Sequence, residues 1–166
     1  MTESAIQSIQ AMVAPAVLMT TGAILAGGIQ TMYAAVNDRM RSMTREKLDR
    51  LTDASGALVT VGELGAASSF RLGEIDIELP KLKRRHRLLS DALLFHYAAI
   101  LLVVVAMILI AIAITVPAGW AGTVALVTML TATALLLFGI GLVAVEVRLS
   151  VDAVDYEVDR TTRLGL

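Results

Sequence analysis

The positive charges of this chain are confined to two stretches, which limits the folds that it can adopt. All 14 Lys and Arg residues lie between Arg39 and Arg87 or between Arg148 and Arg163. There is no charged side chain between Ser4 and Asn37, and between Ala92 and Val145 only His96 titrates near neutral pH. A helix that crosses a bilayer needs about 20 mostly apolar residues. The uncharged stretches therefore predict a membrane protein.

Three membrane-spanning helices fit into these stretches. We predict them at residues 12–36, 92–116 and 121–145, with an outer turn at residues 117–120 that begins with Pro117. Composition agrees, because 57% hydrophobic residues and a mean hydropathy of +0.75 exceed what an ordinary soluble domain shows. The expected fold class is an all-α membrane protein with three transmembrane helices, cytoplasmic helical extensions and a homo-oligomeric bundle.

The same charges set the orientation in the membrane. Short loops rich in Lys and Arg stay on the cytoplasmic side. Residues 37–91 are therefore expected to form a cytoplasmic helical hairpin or loop, and residues 146–166 a cytoplasmic tail. Residues 1–11 then form an amphipathic segment on the outer side.

Local signals within residues 37–91 predict a mixture of helix and loop. Residues 37–51 are expected to extend the first span as an amphipathic helix. Pro80 is typical of a helix start, so a second helix is expected from Lys81 to Leu89. Residues 52–78 are rich in small side chains, and weak strand signals occur at Leu58–Val61 and Ile75–Glu78. We predict a loop there that could contain a short helix or strand.

A dense basic cluster precedes the second span. Its members are Lys81, Lys83, Arg84, Arg85 and Arg87. Such a cluster fixes the topology of a membrane protein. Anionic lipid is a second candidate role, because each positive charge beside a membrane surface contributes about 1 kcal/mol of attraction.

The first span is the least apolar of the three, and its polar residues fall on one face. At about 100° per residue, one stripe contains Glu3, Gln7, Gln10, Ala14, Val17, Thr21, Ile24, Gly28 and Thr31. Polar groups left unsatisfied in hydrocarbon are costly, so this stripe must meet protein or water. Several copies around an axis, each contributing its first helix to an inner ring, satisfy that requirement. We therefore expect a homo-oligomer.

Two interpretations of this stripe remain open. In the first it lines a water-filled pore, with Glu3 carboxylates as a metal-ion site at the outer mouth and hydrophobic constrictions at Val17 and Ile24. Gln7 and Gln10 would then line a polar vestibule. In the second, the stripe is a tight helix interface in which small residues pack and threonine hydroxyls bond to backbone carbonyls.

Two other residues of the spans stand out. Pro15 removes a backbone donor and is expected to kink the first helix near its outer end. His96 is flanked by Phe95 and Tyr97 near the inner end of the second span. It either forms a proton-handling pair with Asp91 or is a fully hydrogen-bonded histidine at the membrane interface.

Enzyme chemistry has little support in the sequence. The chain contains no Cys, which excludes disulfides, thiolate metal sites and Cys nucleophiles. No HExxH, nucleophile-elbow or phosphate-loop pattern occurs. The net charge of −1 averages a charged cytoplasmic portion with an apolar remainder, and it gives no support to nucleic-acid binding. We expect no enzyme, no cofactor and no nucleic-acid partner; the bilayer and further copies of the chain are the expected partners.

Two runs of the sequence resemble a known family. They are APAVLMTTGAILAGGIQTMYAAVNDRMR at residues 14–41 and KLKRRHRLLSDALL at residues 81–94. Both are similar to small bacterial membrane proteins with three spans, catalogued as a domain of unknown function (DUF2721). The resemblance covers most of the chain and implies topology rather than activity. It implies a bacterial inner (plasma) membrane protein with its N-terminus outside and its C-terminus in the cytoplasm.

The order of carboxylate, polar, hydrophobic and basic positions along the first span is similar in layout to the Orai calcium channels, which line their pore with a first helix. This is a likeness of arrangement and not of motif. The expected function is an oligomeric cation channel lined by the first transmembrane helix, with Ca²⁺ as a candidate permeant ion. The alternative is a non-conducting scaffold or regulatory subunit that binds another protein through the cytoplasmic hairpin and tail.

Overall fold

A computed structural model shows three long α-helices. They are α1 (Thr2–Leu51), α2 (Ala66–Thr115) and α3 (Gly119–Arg163). The structure describes residues 2–52, 66–116 and 119–163, with side chains described at 10, 12–52, 68–116, 119–148 and 150. Each helix contains a stretch that is long and apolar enough to cross a membrane. The predicted class, an all-α membrane protein with three transmembrane helices, is therefore confirmed.

α2 differs from the predicted local structure before the second span. The helix begins at Ala66 and continues through Pro80. The strand signal at Ile75–Glu78 and the helix start after Pro80 are therefore both wrong. The other strand signal, Leu58–Val61, lies outside the described residues.

Packing explains why this segment is helical. Leu72 and Ile75 are three residues apart, and their exposed fractions are only 3% and 0%. A helix places residues with this spacing on one face, where both side chains can be buried together. Burial of that face outweighs the weak local preference for a strand.

The described residues fall into two compact units. One, here called the membrane unit, comprises Met1–Gln30 and Leu89–Leu166. The other, here called the hairpin unit, comprises Thr31–Leu88. Each has buried apolar residues of its own.

In the membrane unit, α2 and α3 contact each other through faces of small residues. Buried alanines recur every seven residues on α2, at positions 92, 99 and 106. On α3, Ala125 and Ala132 are buried with the same spacing, and Gly139 continues it. Small side chains let helix backbones approach closely in a bilayer. The rings of Phe95 and Phe138 add an edge-to-face contact with centroids 4.7 Å apart.

α1 joins this pair through a glycine. A Cβ at Gly22 would lie 3.4 Å from Cγ1 of Ile100 and 3.5 Å from Cδ2 of Leu136. Gly22 therefore faces both of the other helices. The same face of α1 includes Ala26 and Ile29, whose exposed fractions are 4% and 5%.

In the hairpin unit, the end of α1 runs antiparallel to the start of α2. The ring of Tyr33 lies 4.5 Å from that of His86, whereas Glu46, further along α1, bonds to Arg71, which is earlier in α2. The apolar interior of this unit contains Val36, Met43, Leu72 and Ile75, all of them buried.

Candidate functional site

The polar stripe of α1 lies on the exposed side of the helix in the single chain. Its described members are all exposed, namely Gln10, Ala14, Val17, Thr21, Ile24, Gly28 and Thr31. Val17 is 60% exposed and Ile24 is 71% exposed. A Cβ added at Gly28 would have nothing within 4 Å. Glu3 and Gln7 lie in α1, but their side chains are outside the described part of the structure.

The opposite face of α1 is the one that packs within the membrane unit. Pro15, Gly22, Ala26 and Ile29 are buried, with spacings of seven, four and three residues. These spacings place the four residues on one side of a helix. Pro15 therefore lies on the packed side, inside a helix that continues on both sides of it. The predicted kink stays a prediction.

The hydroxyl donor of Thr21 on the exposed stripe, and that of the neighbouring Thr20, are satisfied by the helix that carries them. Thr21 Oγ1 donates to the carbonyl oxygen of Val17 at 2.9 Å, and Thr20 Oγ1 donates to that of Ala16 at 3.0 Å. A hydroxyl that donates in this way keeps its lone pairs as acceptors. Thr21 therefore presents an acceptor oxygen outward without needing a partner helix to satisfy its donor.

The exposed faces of the other two helices have a different chemistry. On α2 they carry Leu101 and Ile108, which are 65% and 56% exposed, and on α3 Leu126, Leu130 and Leu137, which are 62% to 65% exposed. Large aliphatic side chains of this kind suit contact with lipid tails. Within the membrane unit, the exposed side of α1 combines small and polar residues with Val17 and Ile24.

His96 is a buried polar group in the contact between α2 and α3. Its exposed fraction is 0%, and its Nδ1 lies 2.9 Å from the carbonyl oxygen of Ala92. Because a carbonyl only accepts, this bond requires a proton on Nδ1. Nε2 is buried and has no hydrogen-bond partner among the described residues.

Both expectations for His96 require correction. No ion pair joins it to Asp91 in the described structure, and Asp91 itself is exposed. The alternative, a fully hydrogen-bonded interfacial histidine, holds for Nδ1 only. The sequence contains a signal for this contact that the prediction did not use, a seven-residue repeat on α3. Gly139, which contacts His96, continues the spacing of Ala125 and Ala132, and the buried Glu146 follows seven residues later.

The predicted basic cluster lies in the hairpin unit on α2. Lys81, Lys83, Arg84 and Arg87 are exposed, and Arg85 is half-buried. Exposed lysines and arginines can reach lipid headgroups by extending their long side chains. The role in binding anionic lipid stays a prediction.

An ion-pair network that the sequence analysis did not foresee holds the hairpin unit together. Glu46 accepts from Arg71 through Nε at 3.0 Å and Nη2 at 3.3 Å, and from Arg50 through Nη2 at 3.0 Å. Arg71 also donates to Glu74 at 2.6 Å. The Arg71 hydrogen bond lowers the pKa of Glu46, partly opposed by desolvation, and the bonds to the two glutamates raise the pKa of Arg71.

Two further ion pairs lie along the same contact. Lys47 Nζ is 2.5 Å from Asp76 Oδ1, and Arg39 Nη2 is 3.8 Å from Glu78 Oε2. None of these carboxylates forms a metal cage: within the described residues there is no group of three or more His, Asp or Glu side chains that could hold a metal ion. These pairs join α1 to α2 within the hairpin unit.

Comparison with known proteins places the chain in a family. A family model described as a protein of unknown function (DUF2721) matches residues 12–156, which is most of the chain. The chain belongs to this family. No curated protein and no solved structure matches it. Membership of DUF2721 confirms the resemblance noted in the sequence, and it assigns no activity.

Proposed function

We propose that this DUF2721 protein assembles into a homo-oligomeric cation channel with α1 lining the pore. It would lie in the bacterial inner membrane with its N-terminus outside and its C-terminus in the cytoplasm, as the Lys and Arg distribution favours. Ca²⁺ is the candidate permeant ion. The assembly needs several copies, because one α1 helix cannot enclose water.

One observation carries the proposal. The small and polar side of α1 points away from α2 and α3, whose own exposed faces carry large aliphatic side chains. A polar stripe facing lipid is costly. A ring of α1 helices turns every stripe toward a common axis and leaves the aliphatic faces of the other helices toward lipid.

The order of residues along this stripe suits a cation path. Ile24 is the most exposed large apolar residue among those described in α1, at 71%, and Val17 is exposed at 60%. Rings of such side chains exclude water and act as hydrophobic gates. Gln10 lies toward the outer end. At the mouth, Glu3 would contribute carboxylate oxygens, the ligands that Ca²⁺ prefers; its place in the proposal rests on the sequence.

Ion flux into liposomes that contain the purified protein tests the proposal directly. We expect cation flux, with Ca²⁺ included, that Glu3→Ala and Gln10→Ala weaken or make unselective. Ile24→Ser should raise the resting flux, because a polar residue wets a hydrophobic constriction. Ile108→Ser on α2 is the matched control: Ile108 is 56% exposed on a face that suits lipid, and its substitution should leave flux unchanged.

Two results would contradict a channel. One is the absence of flux under every ionic condition and voltage tried. The other is an equal response to Ile24→Ser and Ile108→Ser, which would mean that flux reports bilayer damage rather than a path along α1.

A scaffold is the second candidate, and one observation in the hairpin unit favours it. Phe70 and Ile77 are 69% and 65% exposed and lie seven residues apart on α2. Large apolar side chains exposed on one face of a charged segment are typical of a protein interaction site. A photoreactive residue in place of Phe70 would trap one defined protein if the chain is a scaffold, whereas the same probe at the exposed Lys83 would not.

A further inference from the structure

The part of α1 in the hairpin unit carries a second charged face, beside the ion-pair network. Five exposed residues form it, and together they are called the outer charged face: Asp38, Arg41, Ser42, Arg45 and Asp49. An open groove of about 730 Å³ is lined by these residues together with Glu46 and Arg50. Among the described residues, none of the four charged members has an ion pair or hydrogen bond. In contrast, Glu46 and Lys47 pair with α2.

One line of exposed residues on this segment has a regular spacing. They recur at alternating intervals of four and three residues, at Thr31, Ala35, Asp38, Ser42, Arg45 and Asp49, and all six are exposed. This is the heptad spacing with which parallel helices contact one another along a continuous seam. The helical period produces this spacing on the side opposite the buried Val36 and Met43, and it gives a parallel copy a continuous line along which to make contact.

The charges on this face complement themselves. Asp38 lies three residues from Arg41, and Asp49 lies four residues from Arg45, so each carboxylate is about one helical turn from a guanidinium. In copies related by a rotation axis, identical residues meet at the same height. The long Arg side chains can then reach the carboxylate one turn away on the neighbouring copy.

We propose that the outer charged face of α1 binds the same face of a second copy of this chain. Two carboxylates and two guanidiniums give the face no net charge, which disfavours an anionic membrane or a nucleic acid as its occupant. Ion pairs between neighbouring helices set the choice and orientation of partners in such assemblies. The inference rests on the homo-oligomer of the proposed function, but it does not require that the oligomer conduct ions.

Cross-linking of single-cysteine variants tests this contact, because the chain has no Cys of its own. The full-length protein is treated in bacterial membranes with a short bismaleimide. Ser42→Cys places the thiol on the proposed contact. Thr44→Cys is the matched control: Thr44 is also exposed on α1, but two residues of helix turn it about 200° away. Ile24→Cys reports separately on assembly through the membrane unit.

We expect cross-linked multimers from Ser42→Cys, several-fold more abundant than those from Thr44→Cys. Equal cross-linking at the two positions, or none at Ser42→Cys, would overturn the inference. If Ile24→Cys still cross-links in that case, the proposed oligomer survives without the hairpin contact. Cross-linking at Ser42→Cys without ion flux would leave this contact standing and count against the channel alone.

Charge reversal tests the ion pairs themselves. In the Ser42→Cys background, Arg45→Glu should reduce cross-linking several-fold, because like charges then face each other between copies. Adding Asp49→Lys restores opposite charges and should restore cross-linking. Arg45 has no partner among the described residues of its own chain, so its reversal removes no intrachain pair. Unchanged cross-linking after Arg45→Glu would overturn the proposed pairing.

Discussion

The imidazole of His96 occupies the space that a side chain at position 139 would need. A Cβ added to Gly139 would lie 2.6 Å from Cε1 of His96 and 3.4 Å from the carbonyl oxygen of Ala92. The ring is fully buried and is bonded to Ala92 through Nδ1, so it cannot move aside without losing that bond. The close contact of α2 with α3 therefore depends on a glycine at this position.

Gly139→Ala should lower the free energy of unfolding by about 1–3 kcal/mol, the usual cost of overpacking a well-packed interior. The measurement is thermal or denaturant unfolding in detergent, followed by circular dichroism. Gly141→Ala is the control, because a Cβ there meets nothing within 4 Å. Equal losses from the two variants would show that the cost is not a clash with His96. Adding His96→Ala to Gly139→Ala should recover part of the loss.

His96→Leu should cost less than about 1.5 kcal/mol of stability, as a volume-conserving change in a packed interior usually does. The substitution removes Nε2, which has no hydrogen-bond partner in the described structure. It therefore also removes the free-energy cost of burying that polar atom. His96→Asn is the comparison, because it keeps buried polar atoms in the same place and should be the less stable variant. The same unfolding measurement applies. A larger loss for Leu than for Asn would mean that the imidazole has a partner.

Substitutions at two glycines of α1 should separate folding from assembly. Gly22→Leu must displace Ile100 and Leu136, which lie 3.4–3.5 Å from a Cβ at this position, and should cost about 1–3 kcal/mol of stability. Gly28→Leu has open space in the single chain, so stability should change little. In the proposed ring, however, it should lower the oligomer mass measured by light scattering. Identical behaviour of the two variants would contradict two distinct faces on α1.

Cysteine labelling along α1 should show the two faces as alternating reactivity. In the proposed pore, Thr21→Cys and Ile24→Cys face water and should react with a water-soluble maleimide. Gly22→Cys and Ala26→Cys lie on the buried face and should react slowly. Uniform resistance at all four positions would favour the interpretation of the stripe as a tightly packed helix interface.

The hairpin unit should loosen in acid. Arg71 lowers the pKa of Glu46 in the folded chain, so the pair stabilises the fold above the pKa of an unperturbed Glu, about 4.3. That contribution is lost as the pH falls through the lower pKa of Glu46 in the folded chain, because protonated Glu46 no longer carries the negative charge that pairs with Arg71. Hydrogen exchange of α1 amides around Glu46 should accelerate below about pH 4.3, after correction for intrinsic rates.

Two variants test whether Glu46 is the group responsible for that acid response. Glu46→Gln should weaken protection at neutral pH and flatten its pH dependence, because the titrating group is gone. Asp91→Asn should leave the dependence unchanged, since Asp91 is exposed and has no ion pair among the described residues. A full acid response in Glu46→Gln would assign the effect to another carboxylate of the network.

The sequence could predict those features that depend only on whether each residue is surrounded by water or by hydrocarbon. The absence of charge between Ala92 and Val145 is a direct consequence of hydrocarbon around the helices, so the fold class followed from it. The stripe on α1 was predictable for the same reason, and Ile24 is indeed exposed. Assembly of that stripe into a ring involves other chains, and it stays a prediction.

The features that sequence could not predict depend on partners distant in the chain. Ile75 gave a strand signal because its neighbours alternate, yet its burial on a helical face decided the structure. The pairing of Glu46 with Arg71 joins residues 25 positions apart, and either residue alone looks like one more solvated charge. The requirement for glycine at position 139 likewise depends on its contact with His96 on another helix.

The ion pairs between α1 and α2 in the hairpin unit favour one alignment of the two helices. If α2 slid along α1 by one turn, about 5.4 Å, Arg71 would leave Glu46 and Lys47 would leave Asp76 together. Any movement of one helix along the other therefore has to break both pairs at once.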